Sequence, residues 1–144
     1  MSVVDTHLPF EIEIEVEPAD IDQLGHVNNV VYLRWVQDAA VAHWNAVANE
    51  REKRDLSWVV VKHEIEYKRM AFESDGIIAR TWVGRVSGRA FERHSELLRR
   101  SDRKLLAKAL TLWCPLNSET KKPVDVTPEV LQRFSTRKEQ ARGT

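Results

Sequence analysis

What most limits the folds open to this chain is that helical periodicity occurs in one long stretch and almost nowhere else. From Val30 to about Glu50 there is no Gly or Pro, Ala stands at 39, 40, 42, 46 and 48, and Leu33, Val36, Ala40, His43 and Val47 recur at spacings of three and four. That spacing places them on one helix face, and Asn28 or Asn29 can cap the first turn. Trp35, Ala39 and Ala42 widen the apolar surface, which predicts a helix buried on more than one side. The charged run Glu50 to Asp55 closes it.

Most of the rest has the period of two that marks strands. Glu11 to Glu17 alternates acid and apolar side chain, and Pro18 ends it. Ala19 to Asn29 is rich in Asp, Gly and Asn and reads as an ordered loop. Ser57 to Tyr67, Gly76 to Val86, Ala90 to Arg100 and Leu105 to Pro115 form four further strands, with polar turns at 86–89 and 101–104. A polar tail follows from Asn117, with one short helix at Pro128 to Phe134. A ~20-residue helix and a strand of nine or ten residues are both ~30 Å long. One helix therefore fits along the concave face of one curved antiparallel sheet of about five strands joined largely by hairpins, an α+β architecture. No repeat, low-complexity tract or heptad divides the chain, which reads as a single domain over 1–144, with its core at about 10–116 and a C-terminal tail at 117–144.

The totals bound the class. A chain of 144 residues, 42% hydrophobic and 31% charged, is globular by composition. Its 22 basic residues balance 22 acidic ones, without the basic excess a nucleic-acid binder needs. Cys114 is the one cysteine, so no intramolecular disulfide forms and a reducing compartment is expected. The first ten residues lack the pattern of a signal peptide. No apolar stretch approaches the ~20 residues of a membrane span. The expectation is a cytoplasmic protein with no membrane partner.

The segment with chemical content is 20–35, from Asp20 to Trp35. Two carboxylates, a glycine, a histidine and two asparagines stand directly before the helix. A helix N-terminus offers unpaired N–H groups and partial positive charge, where an oxyanion can be held. A carboxylate beside it can activate water or attack a polarised carbonyl. The same residue types are also ordinary caps and turn formers, and Gly25 by itself asks only for a positive φ.

The run D-x-D-x-x-G-H-V-N-N-x-x-Y-x-x-W resembles the signature of the 4-hydroxybenzoyl-CoA thioesterase-like family of hotdog-fold proteins. Its G-H-V-N-N portion is shared with fatty acyl-ACP and bacterial long-chain acyl-CoA thioesterases. The likeness continues through Ile65-Glu66-Tyr67-Lys68-Arg69 to the strand ending near Pro115, and covers roughly 10–130. It implies a hotdog fold and hydrolysis of an acyl-CoA thioester to free acid and CoA, with no cofactor and no metal. His26 and His63 are too few and too poorly spaced for a zinc site.

By the same resemblance Asp22 is the catalytic carboxylate and the backbone amide of Asn29 is the oxyanion donor. His26 and Asn28 shape the loop and position water, and Asp20 braces it. Tyr32 and Trp35 line the acyl pocket or pack in the core. Tyr67, Lys68, Arg69 and Arg89 complete the substrate-binding set, and Arg85 and Arg93 are further candidates for the phosphates of CoA. The pattern departs from the family at Gln37-Asp38-Ala39-Ala40, where Glu-Glu-Ala-Arg is common, and at Met70, where a proline commonly stands. A homodimer, pairing further into a tetramer, is expected from the family, and the apolar Trp58-Val59-Val60-Val61 could lie at a two-fold axis. Two other readings stay open: an acyl-ACP thioesterase, and an acyl-thioester-binding protein without catalysis.

Overall fold

The computed structural model describes residues 8–135. Strand β1 (Phe10–Glu15) leads through a 3-10 turn at Pro18–Asp20 and a loop into helix α1 (Asn29–Val47). A short helix α2 (Glu50–Asp55) follows, then β2 (Leu56–Tyr67), β3 (Gly76–Ser87), β4 (Ala90–Arg99), β5 (Leu105–Asn117) and helix α3 (Pro128–Arg133). The strands make one antiparallel sheet in the order β1-β3-β4-β5-β2. This is the α+β hotdog architecture. β3–β4 and β4–β5 are hairpins as expected, whereas β2 lies at the far edge beside β5, so the chain crosses the sheet between β2 and β3.

Two features differ from the sequence expectation. The helix read as continuous to about Glu50 is broken at Ala48, where ψ is 148°. Asn49 starts a new helix: its side chain accepts from the Glu52 amide and the Glu52 carboxylate accepts from the Asn49 amide. That reciprocal pair satisfies two orphan donors and makes a second start cheaper than continuing the first helix. The residues beyond 117 are not merely a tail, because Val130 and Phe134 are buried in the core.

The core has two lobes along α1. Around its first half, Val31, Tyr32, Trp35, Val36 and Ala39 pack on Phe10, Ile12 and Ile14 of β1 and on Ile77, Ala79, Leu97 and Ala107 of the inner strands. The inward set of β1 is the apolar half of its acid–apolar alternation, as the pleat requires. Around the second half, Val47, Val83, Phe91, Val130 and Phe134 are buried, with Trp44, Trp58 and Trp113 packed against them. Each large side chain so buried contributes about 1.5–3 kcal/mol. No helix among the described residues is long and apolar enough to cross a membrane.

Candidate active site at the start of the long helix

The loop before α1 is a small hairpin. Ile21 bridges Val27, the Asp22 amide donates to the His26 carbonyl (2.9 Å), and the Asn28 amide donates to the Asp20 carbonyl (2.9 Å). Its tip closes with the Gly25 amide on the Asp22 carbonyl (3.1 Å), and Gly25 has φ +84°, a conformation that favours glycine. Asp20 is the brace. Its carboxylate is buried, accepts from the Glu17 amide at 3.0 Å and pairs with Arg34 of α1 at 2.8 Å. That hydrogen bond raises the Arg34 pKa above its ordinary value.

Asp22 stands part-exposed on this hairpin. Oδ1 accepts from the Leu24 amide at 2.9 Å, and Oδ2 stands 3.7 Å from Nδ1 of His26. The same Nδ1 lies 3.1 Å from the Val27 carbonyl. A carbonyl can only accept, so this contact requires a proton on Nδ1, and the ring presents N–H toward both oxygens. Asn28 caps α1, its Oδ1 accepting from the Val30 amide at 2.9 Å. The next residue, Asn29, is the first of the helix, and among the described residues its amide donates to no protein group. A free donor at the positive end of a 19-residue helix follows the carboxylate-bearing hairpin directly.

The segment 67–72 runs beside this loop. Tyr67 donates to the Asn29 carbonyl (3.1 Å), Tyr32 donates to the Arg69 carbonyl (3.0 Å), and the Val27 amide donates to the Ala71 carbonyl (2.8 Å). Tyr32 stacks on Trp35 and meets Tyr67 at a tilt, and burial is the main cause that pushes its phenol pKa up. Leu24, Val30, Tyr67, Met70 and Phe72 on these two segments are all exposed.

Asp22, His26, Asn28, Asn29, Tyr32, Tyr67 and Arg69 are thus brought together. Lys68 adjoins them and pairs with Glu66 at 2.8 Å, and Arg69 donates to the Leu105 carbonyl at 2.8 Å. Trp35 is 1% exposed, inside the core beneath Tyr32. Arg89 is not brought together with them. It sits in the turn after β3, near Asp125 (3.3 Å), separated from the loop end of the sheet by roughly 35 Å of strand. Arg85 shares that remote end of β3. Arg93, expected to face phosphate, is a correction. It points into the core, with Phe91, Ser95 and Leu97 as its inward neighbours on β4. Sequence reasoning missed its contact with His43 and the Asp20–Arg34 brace, and the parity of β4 signalled only that Arg93 points inward.

Residues 16–134 match the model of the thioesterase-like superfamily, and the chain belongs to that family. Over 82 residues it is 31% identical to a chloroplastic acyl-[acyl-carrier-protein] hydrolase of Cuphea viscosissima, a match spanning 57% of this chain and only 20% of that relative. Among solved structures it is similar to a variant of 4-hydroxybenzoyl-CoA thioesterase complexed with 4-hydroxybenzoyl-CoA (TM-score 0.80, 14% identity, 88% of this chain and 98% of that one). It is also similar to the DHNA-CoA thioesterase of Staphylococcus aureus (TM-score 0.77, 20% identity, 88% and 89%). A thioesterase of Thermus thermophilus complexed with coenzyme A and Zn has TM-score 0.76, 20% identity and coverage of 88% and 97%. At such identities these structures establish the fold, while the family membership supports thioester hydrolysis.

Proposed function

We propose that the protein hydrolyses acyl-CoA thioesters, with Asp22 as catalytic carboxylate and the Asn29 amide as oxyanion donor. The observation that carries this reading is the unengaged Asn29 N–H at the helix start, adjoining a carboxylate held in shape by Leu24 and His26. The thioester carbonyl accepts from Asn29. Charge growing on its oxygen is then stabilised by the helix end, and one such donor is typically worth about 3 kcal/mol. Asp22 either takes a proton from water as it attacks the carbonyl carbon, or attacks directly to give a mixed anhydride that water then opens. The C–S bond breaks and CoA leaves as its thiolate. His26 steadies Oδ2, Asn28 caps the helix, Tyr67 anchors the Asn29 carbonyl, and Lys68 and Arg69 offer positive charge to the nucleotide end.

The substrate cleft is completed by a second copy. The exposed apolar residues beside the loop and the unpaired edge of β2, where Val59 and Val61 are exposed, favour a homodimer, and a tetramer is the further expectation. An acyl carrier protein is the second reading of the thiol partner, favoured by the matched segment of the Cuphea hydrolase.

Asp22→Asn is the test. Its kcat for acyl-CoA hydrolysis is expected to fall by ~10² or more, and a loss under about threefold removes Asp22 from the chemistry. Offering one acyl group on CoA and on a carrier protein decides the thiol partner.

A further inference from the structure

A cavity of about 70 Å³ opens toward the opposite end of α1 between Val41, Trp44, Trp58, Arg93, Trp113 and Phe134. From Asn29 to Val41 the helix rises ~18 Å, so this cavity is separate from the loop that carries Asp22. Its walls are mostly aromatic, yet one of them is a buried cation. Arg93 is 3% exposed, and its Nη1 donates to Nδ1 of His43 (3.0 Å) and Oγ1 of Thr81 (3.1 Å). The guanidinium carbon stands 5.4 Å from the ring centre of Phe134 and 5.9 Å from that of Phe91.

None of these neighbours is an anion. Burial, and secondarily the charge of Arg93, pushes His43 down to about 2, so the imidazole is neutral and accepts at Nδ1. Among the described residues no carboxylate lies within 4.0 Å of the guanidinium. Burial drives the Arg93 pKa down to about 9, the direction expected of a charge without a counter-ion. Buried charges are normally paired. The indole nitrogens of Trp58 and Trp113 are also buried and meet no acceptor among the described residues, as is that of Trp35 in the other lobe of the core. A guanidinium without a counter-ion thus stands in the wall of one small, mostly apolar space.

We propose that this cavity binds a small organic monocarboxylate, its carboxylate against Arg93 and its apolar body among the aromatic rings. A single cation matches one negative charge rather than a phosphate dianion, and the aromatic lining favours a carbon skeleton over a hydrated inorganic ion. The enclosed volume admits the carboxylate head and a short body, and the open side of the cavity leaves room for a ring to project outward. The inference is independent of the thioester chemistry proposed for the loop.

Trp44, Trp58 and Trp113 all line the cavity, so tryptophan emission of the full chain reports its occupation. Titration with phenylacetate is expected to saturate, and the neutral phenylacetamide to bind about tenfold more weakly or less well still. Arg93→Met should abolish the response. Arg93→Lys, which keeps a cation but loses the planar fork, should weaken it several-fold and stands in where the methionine variant does not fold. Asp22→Asn should leave phenylacetate binding unchanged while losing hydrolysis, which separates this inference from the proposed activity. Equal binding of acid and amide, preference for inorganic phosphate, no saturable response, or loss of binding in Asp22→Asn would each overturn it.

Discussion

The two ends of α1 solve opposite problems. At its start, polar groups lie within reach of solvent: Asp22 is part-exposed on a hairpin, the Asn29 amide meets no acceptor among the described residues, and charge is managed by bracing Asp20 with Arg34. At its end, a guanidinium and two indole N–H groups are buried among Phe91, Phe134 and three tryptophans. The first arrangement suits the chemistry proposed for it, because water can reach the carboxylate. The second favours recognition, because each unmet donor in a dry place strengthens the binding of a group that satisfies it.

The contrast can be strained from either side. The largest stability effect is expected from Phe134→Ala, which deletes a ring packed against His43, Trp44 and Phe91. Urea denaturation should show a loss of about 3–5 kcal/mol, and a loss below ~1 would mean the aromatic end is not a packed core. Next comes pH. The folded pKa of His43 lies far below the unfolded value of 6.5, at about 2, so the unfolded chain binds the extra proton. The contribution of His43 is complete above pH 6.5 and is lost as pH falls toward 2, at up to about 1.4 kcal/mol per unit. The urea midpoint should therefore drop on acidification below pH 6.5, and His43→Gln should flatten that slope. The smallest effect belongs to the open end. Asn28→Ala should cost about 1 kcal/mol by loss of the cap, while turnover falls further because the Asn29 amide loses its setting. Equal losses in stability and turnover would show that the loop is only a helix cap.

The legibility of the fold follows from where each residue's signal lies. Glu11 to Glu17 announces β1 because one face is wet and the other dry, and the single long helix is plain because Val30 to Val47 contains neither Gly nor Pro. Within the candidate site, the hairpin and its cap are local, so Gly25, Asn28 and Asn29 can be read in order. The break at Ala48 was also within reach, since Asn49 and Glu52 have capping-box spacing, but the charged run disguised it as a simple stop. Arg93 shows the limit. An arginine on a strand reads as solvent-facing, and only the partners arriving from α1 and β3, His43 and Thr81, make its inward position tolerable. Those contacts are 50 and 12 residues away in the chain, so no local pattern reports them.

Glu52 has a second office. The carboxylate that accepts from the Asn49 amide also grips Arg133, at 3.0 and 3.2 Å from its two oxygens. One acidic side chain thus bolts the far end of the described chain to the point where the long helix stops. Phe134, one residue on, is thereby carried into the aromatic wall like a stopper. Loosening that bolt would unseat the stopper without altering any side chain that lines the chamber.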